Sequence, residues 1–126
     1  MKLCHISVAF LLAVAATTGT GCGGDESGPV AGTRVSMDEY SFDPKDLVVR
    51  RGEEITVSNA GAIAHNLKIE KGPDPLKKST ELAGTPTFLP KETRKLKVDL
   101  PPGRYAMVCT VSGHRGLGMT GSITVR

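Results

Sequence analysis

The chain has 126 residues, of which 16 are basic and 13 acidic, for a formal net charge of +3. This near-balance gives no grounds for nucleic-acid binding, which usually needs a strongly basic surface. Three cysteines are too few for a disulfide framework, so a small fold must be stabilised by a β core or a metal.

The N-terminus through residue 21 has the composition of a secretory signal peptide. A lysine precedes an apolar run over residues 6–16, and small residues follow. The run is too short to span a bilayer. Cys22 then fits a bacterial lipoprotein signal, in which the cysteine is acylated, although Gly19 stands where such signals usually carry leucine. Cleavage near Ala15 or Ala16 by ordinary signal peptidase is the alternative.

The segment 22–33, CGGDESGPVAGT, is glycine-rich and polar and has no periodicity. This composition predicts a flexible tether, which leaves residues 34–126 as one domain. A disulfide between Cys22 and Cys109 would require the tether to fold back onto the domain, and we do not expect it. We expect contact with a membrane only through an acylated Cys22.

From residue 35 onward, short runs alternate apolar and polar residues, with turn-forming residues between them. The apolar positions are Val35, Met37, Tyr40, Phe42, Leu47, Val49, Ile55, Val57, Leu67, Ile69, Leu96, Val98, Leu100, Tyr105, Met107, Cys109, Ile123 and Val125. This pattern predicts an all-β protein, an antiparallel sandwich or barrel of about seven to eight strands. A phase change at residues 38–39 predicts a bulge or bend, and residues 71–90 are expected to form a loop.

Two side chains with metal-binding chemistry fall on the buried face of this pattern. His65 shares the phase of the apolar residues that follow it, and Cys109 that of the apolar residues before it. Alone, each would be interpreted as an ordinary core side chain. The stretch CTVSGHRGLGM, however, places His114 and Met119 at five-residue steps after Cys109. The four residues together therefore favour a metal site.

Two imidazoles, one thiolate and one thioether form a soft ligand set. A His₂Cys plane with a weak axial methionine is the arrangement of blue-copper electron-transfer sites. Structural zinc usually has four Cys or His ligands, and three are present here. Calcium and magnesium require oxygen ligands, and the loop has no carboxylates. The donors thus favour one copper ion.

The sequence resembles the cupredoxins, the type 1 blue-copper proteins that include plastocyanin, azurin and rusticyanin. The resemblance covers residues 34–126. The stretches that carry it are YSFDP (40–44), GEEITVSNAGAIAHNL (52–67) and PGRYAMVCTVSGHRGLGMTGSITV (102–125). It implies a Greek-key cupredoxin fold, with His65, Cys109 and His114 as equatorial copper ligands and Met119 as the axial ligand.

The resemblance also implies roles for residues beside the ligands. Asn66 would join the two ligand segments, with its N–H directed at the Cys109 sulfur and its side chain bonded near Thr110. Such bonds orient ligands and tune the reduction potential. A local hydrogen bond within its own turn is the alternative for Asn66.

Redox proteins are the implied partners. They would dock briefly on an apolar patch near Ile63, His114 and Leu117, since weak electron-transfer interfaces are small, and we expect a monomer. Neighbouring basic residues either favour acidic partners or form an ordinary solvated surface. These residues are Lys68, Lys71, Lys77, Lys78 and Arg115.

The predicted function is therefore that of a small exported electron carrier of the periplasm or cell envelope, tethered as a lipoprotein if Cys22 is acylated. A periplasmic copper carrier or chaperone without a redox role is the alternative, because it would use the same ligands. We do not expect an enzyme. Copper oxidases and nitrite reductases need further histidines for a catalytic copper, and beyond the signal peptide the chain has two, His65 and His114.

Overall fold

The computed structural model describes residues 32–126. The predicted signal peptide, most of the predicted tether and Cys22 lie outside the described residues. The strands in chain order are β1 (Arg34–Asp38), β2 (Ser41–Asp43), β3 (Asp46–Val49), β4 (Glu53–Asn59), β5 (Lys68–Glu70), β6 (Glu81–Gly84), β7 (Thr93–Val98), β8 (Gly103–Val108) and β9 (Thr120–Val125). Within residues 32–126, no helix has the length and apolar character needed to cross a membrane.

The strands form two sheets. One has the order β2-β1-β4-β7, and the other has the order β3-β9-β8-β5-β6. The predicted all-β sandwich is therefore confirmed. Two neighbouring pairs are parallel, β1 with β4 and β3 with β9, so the sheets are mixed and not wholly antiparallel. The β1–β4 pair is parallel because the chain reverses direction twice between these strands, once after β1 and again after β3.

The phase change predicted as a bulge or bend is a tight turn between β1 and β2. Asp38 pairs with Ser41, so Glu39 and Tyr40 are the two connecting residues. Tyr40 has a φ of 59°, a left-handed conformation that residues with a side chain rarely adopt. This turn carries the Tyr40 side chain out of the alternation and leaves it exposed.

The segment predicted as a loop, residues 71–90, contains the edge strand β6. It pairs with β5 from Lys68–Gly84 to Glu70–Glu81, with a register shift between. None of its four residues is fully buried, so an apolar alternation could not mark it. The same segment brings Phe88 into the core, where it forms an isolated antiparallel bridge with His65.

The inner faces of the two sheets enclose one hydrophobic core. Of the apolar positions predicted from the alternation, Tyr40 is exposed and Leu100 partly buried, and the others lie in this core. Cys109 and Met119 belong to the same cluster. The predicted ligands thus lie at one end of the packed interior and not on a separate surface loop.

Candidate metal centre

His65 is held by the backbone of the segment between β4 and β5. Its N–H donates to the Phe88 carbonyl at 3.2 Å, and the Phe88 N–H donates back to the His65 carbonyl at 3.0 Å. The Asn59 side chain fixes the preceding loop, because it donates to the carbonyls of Ile63 and Phe88 and accepts from the Gly61 N–H. The His65 side chain is fully buried, as its phase predicts.

The other three candidate ligands lie on the connection between β8 and β9, residues 109–119. The Cys109 N–H donates to the Met119 carbonyl at 3.1 Å and closes the base of this loop. The Met119 N–H donates to the His114 carbonyl at 3.0 Å. Gly113 and Gly118 have φ angles of 83° and 98°, which residues with a side chain rarely adopt. The turns at these glycines direct His114 inward.

Three donor atoms converge at this end of the core. His65 Nδ1 lies 3.2 Å from His114 Nδ1, and Cys109 Sγ lies 3.5 Å from His114 Nδ1. The potential ligand atoms of all three residues lie within 4.8 Å of one another, and all three residues are buried. Two nitrogens bound at about 2.0 Å in a trigonal plane are about 3.5 Å apart, so this spacing fits a shared metal ion. Met119 is also fully buried.

The local electrostatics favour a neutral His65. Burial lowers the pKa of His65 and the adjacent His114 lowers it further, although the Glu39 carboxylate opposes both effects. A neutral imidazole retains the lone pair that a metal needs, so this shift prepares His65 for coordination.

Asn66 connects the two ligand segments. Its Oδ1 accepts the Thr110 N–H at 2.9 Å, and its Nδ2 donates to the hydroxyl oxygens of Thr110 and Thr87 at 3.0 and 2.9 Å. The structure thus contains the side-chain bond expected for Asn66. The Cys109 sulfur differs from expectation: among the hydrogen bonds of residues 32–126, its partner is His114 Nδ1 and not the Asn66 N–H.

An ion pair between Arg115 and the buried Glu70 carboxylate makes a second connection. Arg115 donates from Nη1 and Nη2 to the carboxylate of Glu70, and its Nη1 also donates to the Pro75 carbonyl. The Glu70 side chain is 3% exposed and also accepts the Ser79 N–H. Burial by itself would raise the pKa of Glu70, but the bonds from Arg115 and Ser79 outweigh it and hold the pKa below its usual 4.5.

This pair changes the interpretation of the basic residues near the site. Arg115 was expected on a basic surface, yet its charge is neutralised by Glu70. Lys68 lies 3.0 Å from Glu81, and Lys77 lies 3.9 Å from Asp74. Three of the five candidate cations therefore have acidic partners.

Sequence reasoning missed three residues of this region, Glu39, Glu70 and Tyr40. The Tyr40 ring packs edge-on against His114, with ring centroids 5.1 Å apart. Alternation had placed Tyr40 in the core. The two polar residues between Met37 and Tyr40 were the available indication of a hairpin turn, and Glu39 lies in that turn.

Comparison with known proteins decides the family. The model of the copper binding proteins of the plastocyanin/azurin family matches residues 30–126. The chain belongs to this plastocyanin/azurin family. A plastocyanin from Nostoc punctiforme is 32% identical over an alignment 93 residues long, and the match covers 68% of this chain and 65% of the relative. The match thus spans slightly less than two thirds of that plastocyanin.

Solved structures support the same fold. Dithionite-reduced auracyanin from Roseiflexus castenholzii superposes with a TM-score of 0.65 at 24% identity, over 75% of this chain and 95% of auracyanin. A copper-containing nitrite reductase from Thermus scotoductus matches with a TM-score of 0.56 at 20% identity, over 75% of this chain and 22% of the reductase. The described domain therefore has the cupredoxin fold.

Family and donor chemistry agree on the cofactor. His65, Cys109, His114 and Met119 cluster as a type 1 copper site, and the family is one of copper-binding proteins. Copper is the cofactor of this protein, as the ligand set predicts.

Proposed function

We propose that this plastocyanin/azurin-family protein is a one-electron carrier. His65, Cys109 and His114 would hold copper in a plane, and Met119 would supply a weak axial contact. The observation that carries the proposal is the convergence of three buried, soft donors from two segments that the sandwich holds together. When bound, copper supplies the exchange of one electron between Cu(I) and Cu(II).

The role of the chain is to keep the ligands still during that exchange. His65 is held through the Phe88 bridge, and Cys109 through the Met119 carbonyl. Asn66 joins their two segments. Restricted ligand movement limits the reorganisation that accompanies electron transfer, since the site does not have to rebuild itself for each oxidation state.

Electrons would pass through an apolar docking patch, consisting of Ile63, His114 and Leu117. Ile63 and Leu117 are 39% and 61% exposed, and His114 lies just beneath the surface. Tyr40 extends the patch, because its exposed ring packs against His114. A small apolar surface suits a brief encounter between a monomer and its redox partner. The proposal includes no nucleic-acid partner. It also includes no enzymatic activity.

We also propose that the protein acts outside the cytoplasm. The leader through residue 21 fits export, and acylation of Cys22 would tether the domain to a membrane of the cell envelope. Intact-mass spectrometry of the protein purified from whole native cells tests this point. A diacylglyceryl-modified Cys22 is the expected N-terminus, whereas an unmodified one at Ala16 or Thr17 would indicate a soluble periplasmic protein.

A copper carrier or chaperone is the second candidate, because the same four side chains could deliver the metal. An optical and EPR spectrum of the Cu(II) protein, followed by Cu(I) removal with a chelator, separates the two. An electron carrier should give an intense thiolate-to-copper band with narrow hyperfine splitting, and should keep Cu(I) through repeated redox cycles. A pale protein with a tetragonal Cu(II) EPR signal and rapid loss of Cu(I) would favour the copper carrier.

A further inference from the structure

The two nitrogens of His65 face different surroundings. Nδ1 points to the metal centre, 3.2 Å from His114 Nδ1. Nε2 is buried and has no hydrogen-bond partner, and in residues 32–126 it is the one buried side-chain nitrogen or oxygen in that state. A buried N–H without a partner costs stability, so the surroundings of Nε2 need an explanation.

The group that faces Nε2 is the carboxylate of Glu39, from the turn between β1 and β2. Glu39 Oε1 lies 3.8 Å from His65 Nε2. The same oxygen accepts the N–H of Ala62, which fixes the carboxylate against the loop before His65. With 40% of its side chain exposed, Glu39 has room for the small movement that brings Oε1 to hydrogen-bond length, about 2.9 Å.

Gly61 leaves the space in which the two groups meet. A Cβ at this position would lie 2.5 Å from Glu39 Oε1 and 3.0 Å from His65 Nε2. Any other residue would therefore press between the carboxylate and the ring. The contact thus depends on an approach that glycine alone permits at position 61.

We propose that Glu39 is a positioning residue for His65, and that its carboxylate accepts the Nε2 hydrogen. The proton is then held on Nε2, and the Nδ1 lone pair is left for the metal. This proposal rests on the copper site proposed above. It adds an anionic partner from a third segment, 26 residues before His65 along the chain, to the two segments that supply the ligands.

The carboxylate also affects the preference for an oxidation state. An anionic acceptor makes the imidazole a stronger donor, and a stronger donor favours Cu(II) over Cu(I). Loss of such a partner typically costs 10- to 100-fold in metal affinity. Because Glu39 is partly exposed, we expect Glu39→Gln to reduce the preference for Cu(II) about tenfold, which is about +59 mV in the one-electron potential.

The test is a redox titration of the full-length, copper-loaded protein. Glu39→Gln keeps the size and the acceptor for Ala62 but removes the charge. Glu54→Gln is the control, since it removes the same charge from an exposed site on β4. Glu54 lies about 16 Å along the strand from Asn59, the last residue of β4 before the loop that leads to His65. A higher potential in Glu39→Gln and an unchanged one in Glu54→Gln is expected. Equal potentials in both variants would overturn the proposal.

Nitrogen-15 NMR of the wild-type Cu(I) protein gives a second readout that needs no variant. The His65 Nε2–H resonance should lie downfield of that of His114 and exchange slowly with solvent. A resonance without that displacement would contradict a carboxylate acceptor. Gly61→Ala should move the resonance upfield and raise the potential as Glu39→Gln does. The blue absorption of the wild-type protein tests the copper site itself, so failure there is distinct from failure of the Glu39 contact.

Discussion

The two segments that supply the metal ligands are held in different ways. His65 belongs to the sandwich, since its backbone forms a two-way bridge with Phe88. The loop 109–119 is held at its base by the Cys109–Met119 bond and elsewhere by turns. Two side-chain connections then join the regions, Asn66 to Thr110 and Glu70 to Arg115. A backbone bridge therefore places one ligand, whereas long-range side-chain contacts help to place the other three.

The largest effect should come from the thiolate itself. Cys109→Ser replaces the soft donor of the loop with a hard oxygen, so we expect complete loss of the intense thiolate-to-copper band. Absorption and EPR spectra of the Cu(II) variant measure this. Ser112→Ala, an exposed change in the same loop, is the control and should keep the colour. A Cys109→Ser protein that stayed intensely blue would show that the thiolate is not a ligand.

Breaking the ion pair should cost the most stability. Arg115→Met leaves the Glu70 carboxylate buried without its main partner, and removal of one member of a buried pair costs about 3 kcal/mol. Arg51→Met is the matched control, because Arg51 and Asp99 form an exposed pair with side chains 57% and 64% accessible, worth about 1 kcal/mol at most. Denaturant unfolding of both variants decides whether the Glu70 contact is structural.

The same pair predicts an acid dependence with a definite sign. The pKa of Glu70 in the folded protein lies below 4.5, so its stabilising effect is complete above pH 4.5 and is lost as pH falls through the lower folded value. In Arg115→Met, the bonds from Arg115 no longer outweigh the effect of burial, which raises the pKa of Glu70. The difference in unfolding free energy between wild type and variant should therefore be largest at neutral pH, begin to narrow above pH 4.5 and go on narrowing down to the lower folded pKa of the wild type. A difference that stays constant from pH 7 to pH 3 would exclude this explanation.

The Asn66 connection should have a smaller effect on stability. Asn66→Ala removes its bonds to Thr110, at a net cost of about 1–2 kcal/mol. Looser coupling of the two regions should also speed the release of copper to a chelator by about tenfold. Thr87→Val removes the other partner of Asn66 and should leave the release rate near that of wild type.

The axial ligand should have the smallest effect on stability. Met119→Leu conserves volume, so it should cost less than about 1.5 kcal/mol and keep copper bound. The reduction potential should change, because the axial ligand tunes it. Met107→Leu, a buried change on β8, is the control for packing alone. Complete loss of copper in Met119→Leu would contradict the assignment of Met119 as a weak axial ligand.

Much of the fold and of the candidate site could be predicted because it depends on local chemistry. Strand alternation placed His65 and Cys109 on the buried face, and unusual residue types at regular spacing identified His114 and Met119. The contacts of Glu70 could not be predicted. Its partner lies 45 residues away, and a glutamate followed by a lysine is typical of an exposed strand end. Tyr40 was predicted to lie in the core because an apolar residue at this position fits the alternation. Its left-handed turn interrupts the strand, and the residue type does not reveal this.

The closed base of the loop 109–119 has a consequence for how this architecture diversifies. Cys109 and Met119 join two neighbouring antiparallel strands, and one backbone bond between them seals the hairpin. Residues inserted or deleted inside this seal need not disturb the strands, since the bond at its base holds the two strand ends together. The loop 109–119 can therefore change in length and sequence as one unit. Selection can vary the ligand spacing within it while the sandwich, and the histidine supplied by the other segment, stay in place.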